Sequence, residues 1–184
     1  MKKEIIEWIK SIVIALVLAL AITSFISGTK VYGSSMNPTL NHNDFLIIFK
    51  SKDISHGDIV IVKTNLEINP EDLTGLNFIS KWKMGKTKSL IKRVIALEGD
   101  SLVIKNGEVF LNGEKLEESY INGGDTFGNI VIDKIPKGKL FVMGDNRGRS
   151  LDSRSEEIGL VDIEDVSGKA VFQIYPFSKL GKIK

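Results

Sequence analysis

The chain has 184 residues, a formal net charge of +2 at pH 7 and no cysteine. This nearly neutral charge argues against a nucleic-acid-binding protein. The absence of cysteine excludes disulfide frameworks and thiolate metal sites. We see no cluster of metal-ligating residue types, and we expect neither a metal nor another cofactor. The length leaves room for one domain with a substantial core after an N-terminal hydrophobic segment.

The first element is an uncharged hydrophobic segment, residues 12–26. With its neighbours it covers residues 11–28, which is at the short end for a helix that spans a membrane. A cleaved secretory signal is the alternative, because the apolar stretch is at the upper limit of length for one. No clean small-x-small cleavage site follows, since large residues occupy the positions concerned. The sequence therefore predicts a retained transmembrane anchor over residues 11–28.

Three lysines lie on the amino side of this anchor: Lys2, Lys3 and Lys10. By the positive-inside rule, residues 1–10 are predicted to form a short cytoplasmic tail. Residues 29–184 then form an extracellular domain of a single-pass protein of the cell membrane, and we expect this domain to contact lipid.

A serine-containing segment, Gly33 to Leu40, begins shortly after the anchor. The nine residues from the end of the apolar segment to Ser35, residues 27–35, reach at most roughly 30 Å when fully extended. The serines must therefore lie close to the membrane face. A nucleophile held there would act on something presented at the same face.

The remaining chain is rich in short β-branched or aromatic runs bounded by turn residues, which is typical of strands. The runs are residues 45–49, 58–62, 89–97, 101–105, 108–111, 139–143 and 170–175. Asn106-Gly107 is a favoured hairpin turn, and residues 156–166 have room for one short turn of helix. We therefore predict a mainly β fold, an antiparallel sheet or open barrel, in which residues 101–140 form a smaller hairpin subdomain.

Residues 64–88 interrupt this pattern and are interpreted as a surface loop between two strands. Phe78, Trp82 and Met84 alternate there with lysines. Such a mixture is also compatible with a segment that dips into an anionic membrane surface, and both interpretations stay open.

A serine nucleophile needs a base within hydrogen-bond reach, and the chain offers three candidates. His42 and His56 both lie in polar turns, where a solvated role is the simpler interpretation. Lys92 lies inside an apolar strand, where burial would lower its pKa. Strand alternation places Lys92 and Arg93 on opposite faces, so Lys92 can face a cleft while Arg93 makes an ion pair elsewhere.

Segment 143–154 is dense in glycine, short carboxylates and arginine. It is compatible with a solvated turn or with internal ion pairs. Together with Ser34 to Leu40, Gly57 to Val60 and Lys92 to Asp100, in this order behind one anchor, it resembles the motif boxes of type I signal peptidases. The similarity runs from the anchor to about residue 176, and the size and single anchor resemble the Gram-positive branch.

The resemblance implies a serine–lysine endopeptidase that removes signal peptides from exported preproteins and acts as a monomer. It implies Ser35 as nucleophile, rather than Ser34, and Lys92 as general base. It implies that Ser150 orients the lysine. The residues that would brace the site are Arg93, Asp145, Arg147, Asp152 and Arg154, with Arg93 pairing with Asp145.

Substrates of this family carry small residues at the first and third positions before the cut. We expect these to enter shallow apolar pockets lined by Val31, Tyr32, Met36, Leu90 and Ile91. The Ser35 backbone N–H is the expected oxyanion donor. Some relatives add a serine hydroxyl two residues before the nucleophile, where this chain has Gly33, so the second donor is left open.

The sequence is also compatible with two other interpretations. The spacing of Ser89 and Lys92 fits the Ser-x-x-Lys motif of penicillin-recognising enzymes, but here it enters a strand, and the companion motifs of that family do not follow. A non-enzymatic alternative is an anchored β domain that binds or assembles with other proteins.

Overall fold

The computed structural model describes residues 2–68, 86–121 and 126–183. Its helix α1 is Lys2–Phe25, and twelve strands follow in the described part of the chain. They are β1 Ile26–Lys30, β2 Phe45–Phe49, β3 Ile59–Glu67, β4 Thr87–Ala96, β5 Leu102–Lys105, β6 Glu108–Leu111, β7 Glu114–Lys115, β8 Ile130–Ile132, β9 Lys139–Met143, β10 Val161–Asp162, β11 Val166–Tyr175 and β12 Gly181–Lys182. The prediction of a mainly β fold is confirmed.

Within the described ranges, one helix is long and apolar enough to cross a membrane: residues 3–25, with a mean hydropathy of 2.4. Its side chains are exposed along its length because no other element packs on them. The helix ends at Phe25, and Ile26–Lys30 pairs with β2 as a strand. The last three residues that the sequence assigned to the anchor therefore belong to the sheet, because their backbone groups find partners there.

The larger sheet has the strand order β1-β2-β11-β3-β4-β9-β10, and β12 pairs with β11. The smaller sheet, of residues 102–132, has the order β7-β6-β5-β8. All strand pairs are antiparallel. The strand that carries Lys92, β4, lies between β3 and β9, with Val60 opposite Lys92 and Met143 opposite Arg93.

Two hydrophobic clusters fix the segments around β4. One packs Met36 and Leu40, which follow the serines, against Leu46, Ile48 and Ile59 of the larger sheet. The other joins the C-terminal end of β4 to the smaller sheet; its members include Ile95, Leu102, Ile104, Phe141 and Met143. The serine segment and the smaller sheet are thus both anchored to the strand that carries the lysine.

Several details differ from the sequence prediction. β11 begins at Val166, four residues before the predicted start, and the helical turn expected within residues 156–166 is a short 3₁₀ turn, Ile163–Asp165. Phe78, Trp82 and Met84, on which the membrane-dipping interpretation depends, lie outside the described residues.

Candidate active site

Ser35 and Lys92 meet at the centre of the larger sheet. Lys92 Nζ lies 2.8 Å from Ser35 Oγ, at hydrogen-bond distance, although the two residues are 57 positions apart in the chain. Ser35 lies on the loop between β1 and β2, and Lys92 on β4. The loop comes back to the sheet because Met36 and Leu40 are buried in its core.

The Lys92 side chain is almost completely removed from water, with 2% of the residue exposed. This burial lowers the pKa of Lys92 from 10.5 to about 8, against the opposing attraction of the Asp152 carboxylate. The Arg154 guanidinium lowers the pKa of Lys92 further, and Asp145 raises it. Burial is therefore the main reason why this amine can lose its proton in mildly basic solution.

The histidines have other partners. His42 Nδ1 accepts a hydrogen bond of 3.1 Å from the Gly33 backbone N–H, and His56 Nε2 lies 2.7 Å from Asp100 Oδ2. Of the three bases that the sequence offered, the structure brings Lys92 to Ser35.

The backbone around Ser35 is held by the segment that follows β9. The Ser35 carbonyl accepts a hydrogen bond of 2.9 Å from the Asn146 N–H, and the Asn146 side-chain amide donates to the Ser34 carbonyl at 3.1 Å. Gly33 adopts a positive φ of 83°, which favours glycine and explains why no side chain occupies this position. Asn146 was not singled out in the sequence, because an Asn in a glycine-rich turn gives no sign of a contact with residues about a hundred positions away.

Arg93 points away from Lys92 and makes the ion pair with Asp145 that the sequence suggested. Its Nε and Nη2 donate to the two Asp145 oxygens at 2.8 and 2.7 Å, and its Nη1 donates to the Gly57 carbonyl at 2.8 Å. The Thr39 hydroxyl donates to the same carboxylate. Both charged residues are buried, with 3% and 1% exposed, so this pair connects β4, the serine loop and the segment after β9 in a site without water contact.

Asp152 and Arg154 form a second pair on the other side of Gly144. Arg154 Nε donates to Asp152 Oδ1 at 2.8 Å, and the Gly144 N–H donates to Asp152 Oδ2 at 2.9 Å. Burial disfavours the charged Asp152 carboxylate, but the hydrogen bond and the charge of Arg154 outweigh it and hold the pKa of Asp152 below its usual range. The carboxylate therefore stays ionised close to Lys92.

Arg147 is paired with a residue that sequence reasoning missed, Glu118. Both guanidinium NH₂ groups donate to the Glu118 carboxylate, and Nη1 also donates to the Thr126 hydroxyl at 2.6 Å. Burial disfavours the charged Arg147, but the bonds from Glu118 outweigh it, and the pKa of Arg147 is raised. Glu118 lies in a polar loop after β7, and its sequence neighbourhood carries no signal of a buried ion pair.

Ser150 lies beside the site, but its hydroxyl is not bonded to Lys92. In the described part of the chain, the buried Ser150 Oγ makes no hydrogen bond of good geometry, although the hydroxyl lies close enough to Asp152 to favour its ionised form. A Cβ added to Gly144 would collide with the Ser150 side chain and with the Ser35 carbonyl. Glycine at position 144 therefore allows the nucleophile loop and Ser150 to approach each other closely.

The amino-acid sequence matches known proteins over nearly its whole length. The model of the family "signal peptidase, peptidase S26" matches residues 5–175. The chain belongs to this signal peptidase family. It is 34% identical to signal peptidase I of Bacillus licheniformis, over 98% of this chain and 94% of that protein.

Other members are similarly related to this peptidase. Signal peptidase I P of Bacillus subtilis subsp. natto is 36% identical over 100% of this chain and 95% of its own length. Signal peptidase IB of Staphylococcus aureus is 33% identical over 97% and 94%. The crystal structure of a signal peptidase I from Enterococcus faecalis aligns with a TM-score of 0.46 and 22% identity, covering 64% of this chain and 96% of that one.

A groove of about 410 Å³ opens beside the serine and lysine of the peptidase. All five residues that the sequence placed in apolar pockets line it: Val31, Tyr32, Met36, Leu90 and Ile91. β9 pairs with β4 only from Arg93 onwards, so it does not cover the part of β4 that lines the groove. Ser35 and Lys92 are themselves among the residues that line the groove, so a chain bound in it lies beside the serine hydroxyl.

We expect the protein to lose stability when one partner of the buried Arg93–Asp145 pair is neutralised. In Asp145→Asn the Arg93 charge stays buried without its counter-charge, and we expect the free energy of unfolding to fall by about 3 kcal/mol. Urea unfolding of the detergent-solubilised protein measures this. The matched control is Asp162→Asn, which breaks an exposed pair with Lys139 and should cost less than about 1 kcal/mol. Equal costs in the two variants would contradict the role assigned to the buried pair.

Proposed function

We propose that this chain is a membrane-anchored serine endopeptidase that removes signal peptides from exported preproteins, cutting after small-x-small sequences. Ser35 is the nucleophile and Lys92 the general base. The observation that carries the proposal is the 2.8 Å contact between Ser35 Oγ and the Nζ of Lys92, whose pKa burial lowers to about 8. Membership of the signal peptidase family supports the substrate class.

The arrangement supplies each step of peptide hydrolysis by covalent catalysis. Neutral Lys92 takes the Ser35 proton while Oγ attacks the scissile carbonyl carbon. The protonated lysine then gives that proton to the leaving amine, and an acyl group remains on Ser35. The leaving amine is the new N-terminus of the mature protein, so the acyl group on Ser35 is the signal peptide. A water molecule, deprotonated by Lys92, attacks this ester, releases the signal peptide with a free carboxylate and regenerates Ser35.

Two further groups complete the proposed mechanism. The backbone N–H of Ser35 is the expected donor to the oxyanion, and Gly33 offers no hydroxyl as a second donor. Ser150, whose buried hydroxyl makes no hydrogen bond of good geometry in the described residues, orients the Lys92 amine when the base is protonated or substrate is bound. Arg93, Asp145, Arg147, Asp152 and Arg154 keep the segments around the dyad in place.

The groove supports the proposal that the substrate is an extended segment with small side chains. A signal peptide would lie between the Thr29–Tyr32 segment and the first half of β4, forming main-chain hydrogen bonds as an added strand. The apolar side chains of Val31, Tyr32, Met36, Leu90 and Ile91 line this groove beside the reacting serine, and in this proposal they receive the small side chains that precede the cut.

The proposed location follows from how the helix joins the sheet. β1 starts directly after α1, and Lys50 ties the two together through its backbone N–H to the Phe25 carbonyl and its Nζ to the Thr23 carbonyl, both at 2.8 Å. The five residues of β1 span about 17 Å. With the N-terminal lysines in the cytoplasm, the site lies outside the cell membrane and close to it, where exported preproteins present their cut sites. The peptidase acts there as a monomer that contacts lipid.

The first prediction of this mechanism concerns the dyad. Ser35→Ala and Lys92→Ala should each lower kcat/KM for a preprotein with an Ala-x-Ala site by roughly 10³-fold or more, because either change removes the activated nucleophile. The release of mature protein on a gel measures this. Ser34→Ala is the matched control and should cut at the wild-type rate. If the domain were instead a binding module with an inactive dyad, the wild-type protein and Ser34→Ala would both fail to cut. Full activity in either dyad variant would show that the assignment is wrong.

The second prediction concerns pH. Because Lys92 must be neutral to act as a base and its pKa is lowered to about 8, kcat/KM should fall as the pH drops below that value. Each further pH unit should lower it about tenfold, since the neutral fraction falls in that proportion. A pH series with a peptide substrate measures this decrease, which we call the acid limb of the pH profile of kcat/KM. A rate that stays flat between pH 9 and pH 5 is incompatible with a lysine base.

A further inference from the structure

Two residues of the loop after β7, Glu118 and Tyr120, pack on the site although the proposed mechanism gives them no step. They lie between β7 and β8 of the smaller sheet, which contributes no residue to the dyad. Tyr120 is about half-buried, and the Glu118 side chain is 7% exposed. A glutamate removed from water in a surface-facing loop needs a reason, because an unpaired buried carboxylate would be costly.

Tyr120 covers the face of the Arg93 guanidinium. The guanidinium carbon lies 4.0 Å from the centre of the Tyr120 ring, which is cation–π geometry. The edges of the same guanidinium are bound by Asp145 and by the Gly57 carbonyl. Arg93 is therefore held at its edges by the larger sheet and the segment after β9, and on its face by the loop of the smaller sheet.

Glu118 links this ring to the next arginine. Its carboxylate accepts a hydrogen bond of 2.7 Å from the Tyr120 hydroxyl and also binds both NH₂ groups of Arg147. Burial raises the pKa of Tyr120, so the phenol keeps the proton that it donates. Arg147 reaches back to the Gly144 carbonyl through Nε at 3.2 Å, and Gly144 contacts the backbone of the nucleophile loop.

We propose that Glu118 and Tyr120 are positioning residues for the reaction, through which the smaller sheet fixes the Arg93–Asp145 pair and keeps water away from that pair. This inference rests on the proposed function, because it concerns the activity of Ser35 and Lys92. The ring of Tyr120 is the principal element, since it alone covers the open face of Arg93 among the described contacts. Glu118 fixes the ring by its hydroxyl and is itself fixed by Arg147.

The charges around Lys92 explain how such a distant ring acts on the base. The charged groups that face Lys92 are Asp145, Asp152 and Arg154, all on the segment after β9, and the Ser35 hydroxyl faces it from the β1–β2 loop. Asp145 favours protonated Lys92, and the bidentate Arg93 offsets that carboxylate. Without the ring, water reaches Arg93 and weakens its hold on Asp145. The Asp145 carboxylate is then less well compensated, and this makes Lys92 easier to protonate.

The test is the pH dependence of kcat/KM for the full-length protein in detergent, with a peptide carrying an Ala-x-Ala site. Tyr120→Leu should move the acid limb up by about half a pH unit and lower kcat/KM at pH 7 about threefold. Tyr120→Phe keeps the ring over Arg93 but loses the hydrogen bond to Glu118, so it should move the limb in the same direction but by less than Tyr120→Leu. If Tyr120→Leu does not fold, Tyr120→Met, which fills similar space without a ring, should give the same shift.

The matched control is Phe110→Leu, which removes a ring of the smaller sheet that stacks on Lys105 at 5.1 Å, away from the dyad. It should leave the limb unchanged even if it lowers the melting temperature. An unmoved limb in both Tyr120→Leu and Tyr120→Met would overturn the inference, as would an equal shift in Phe110→Leu. Wild-type cutting that survives Ser35→Ala would instead overturn the proposed function, so the two failures are distinguishable.

Discussion

The structure depends on the burial of one lysine. Taking the Lys92 amine out of water costs free energy as long as it is charged. The lowering of its pKa from 10.5 to about 8 is the net effect of this burial and of the nearby charges, and corresponds to roughly 3 kcal/mol against the protonated form. That cost is what makes the amine a base for Ser35 in mildly basic solution. A lysine at the same position on a wet strand face would stay protonated and could not accept the serine proton.

The surrounding charges are arranged so that the buried amine does not recover its proton. Each carboxylate close to the dyad has its own guanidinium: Asp145 has Arg93, and Asp152 has Arg154. The carboxylates are needed because they hold backbone and side-chain groups of the nucleophile loop and of Gly144. Pairing each with an arginine lets them do this without a strong net field at Lys92. A third pair, Glu118 with Arg147, extends the same pattern to the smaller sheet.

The structural features that were predictable from the sequence are those that depend on the local pattern of apolar and turn residues. The β2 and β9 strands occupy the predicted residues 45–49 and 139–143, because short apolar runs between turn residues carry that information themselves. Alternation along β4 placed Lys92 and Arg93 on opposite faces, and the structure has them there. The roles of Ser35 and Ser150 were assigned through the resemblance, which rests on the order of the motifs and not on a physical argument.

What the sequence did not provide are contacts between distant segments. Glu118 and Tyr120 look like ordinary polar loop residues until the fold brings Arg93 and Arg147 against them. The strand formed by Ile26–Lys30 was hidden because its first residues continue the apolar run of the helix, and only pairing with β2 distinguishes them. In both cases the deciding partner lies elsewhere in the chain, where neither periodicity nor propensity can identify it.

The central claim is that Lys92 is a buried amine that is neutral in mildly basic solution. The most direct measurement is an NMR titration of the protein labelled with carbon-13 at the lysine ε-carbons, with the Lys92 signal assigned by its loss in Lys92→Arg. The account predicts a titration midpoint near pH 8, well separated from the signals of the exposed lysines. A Lys92 midpoint near 10.5, the value of an ordinary lysine, would contradict it.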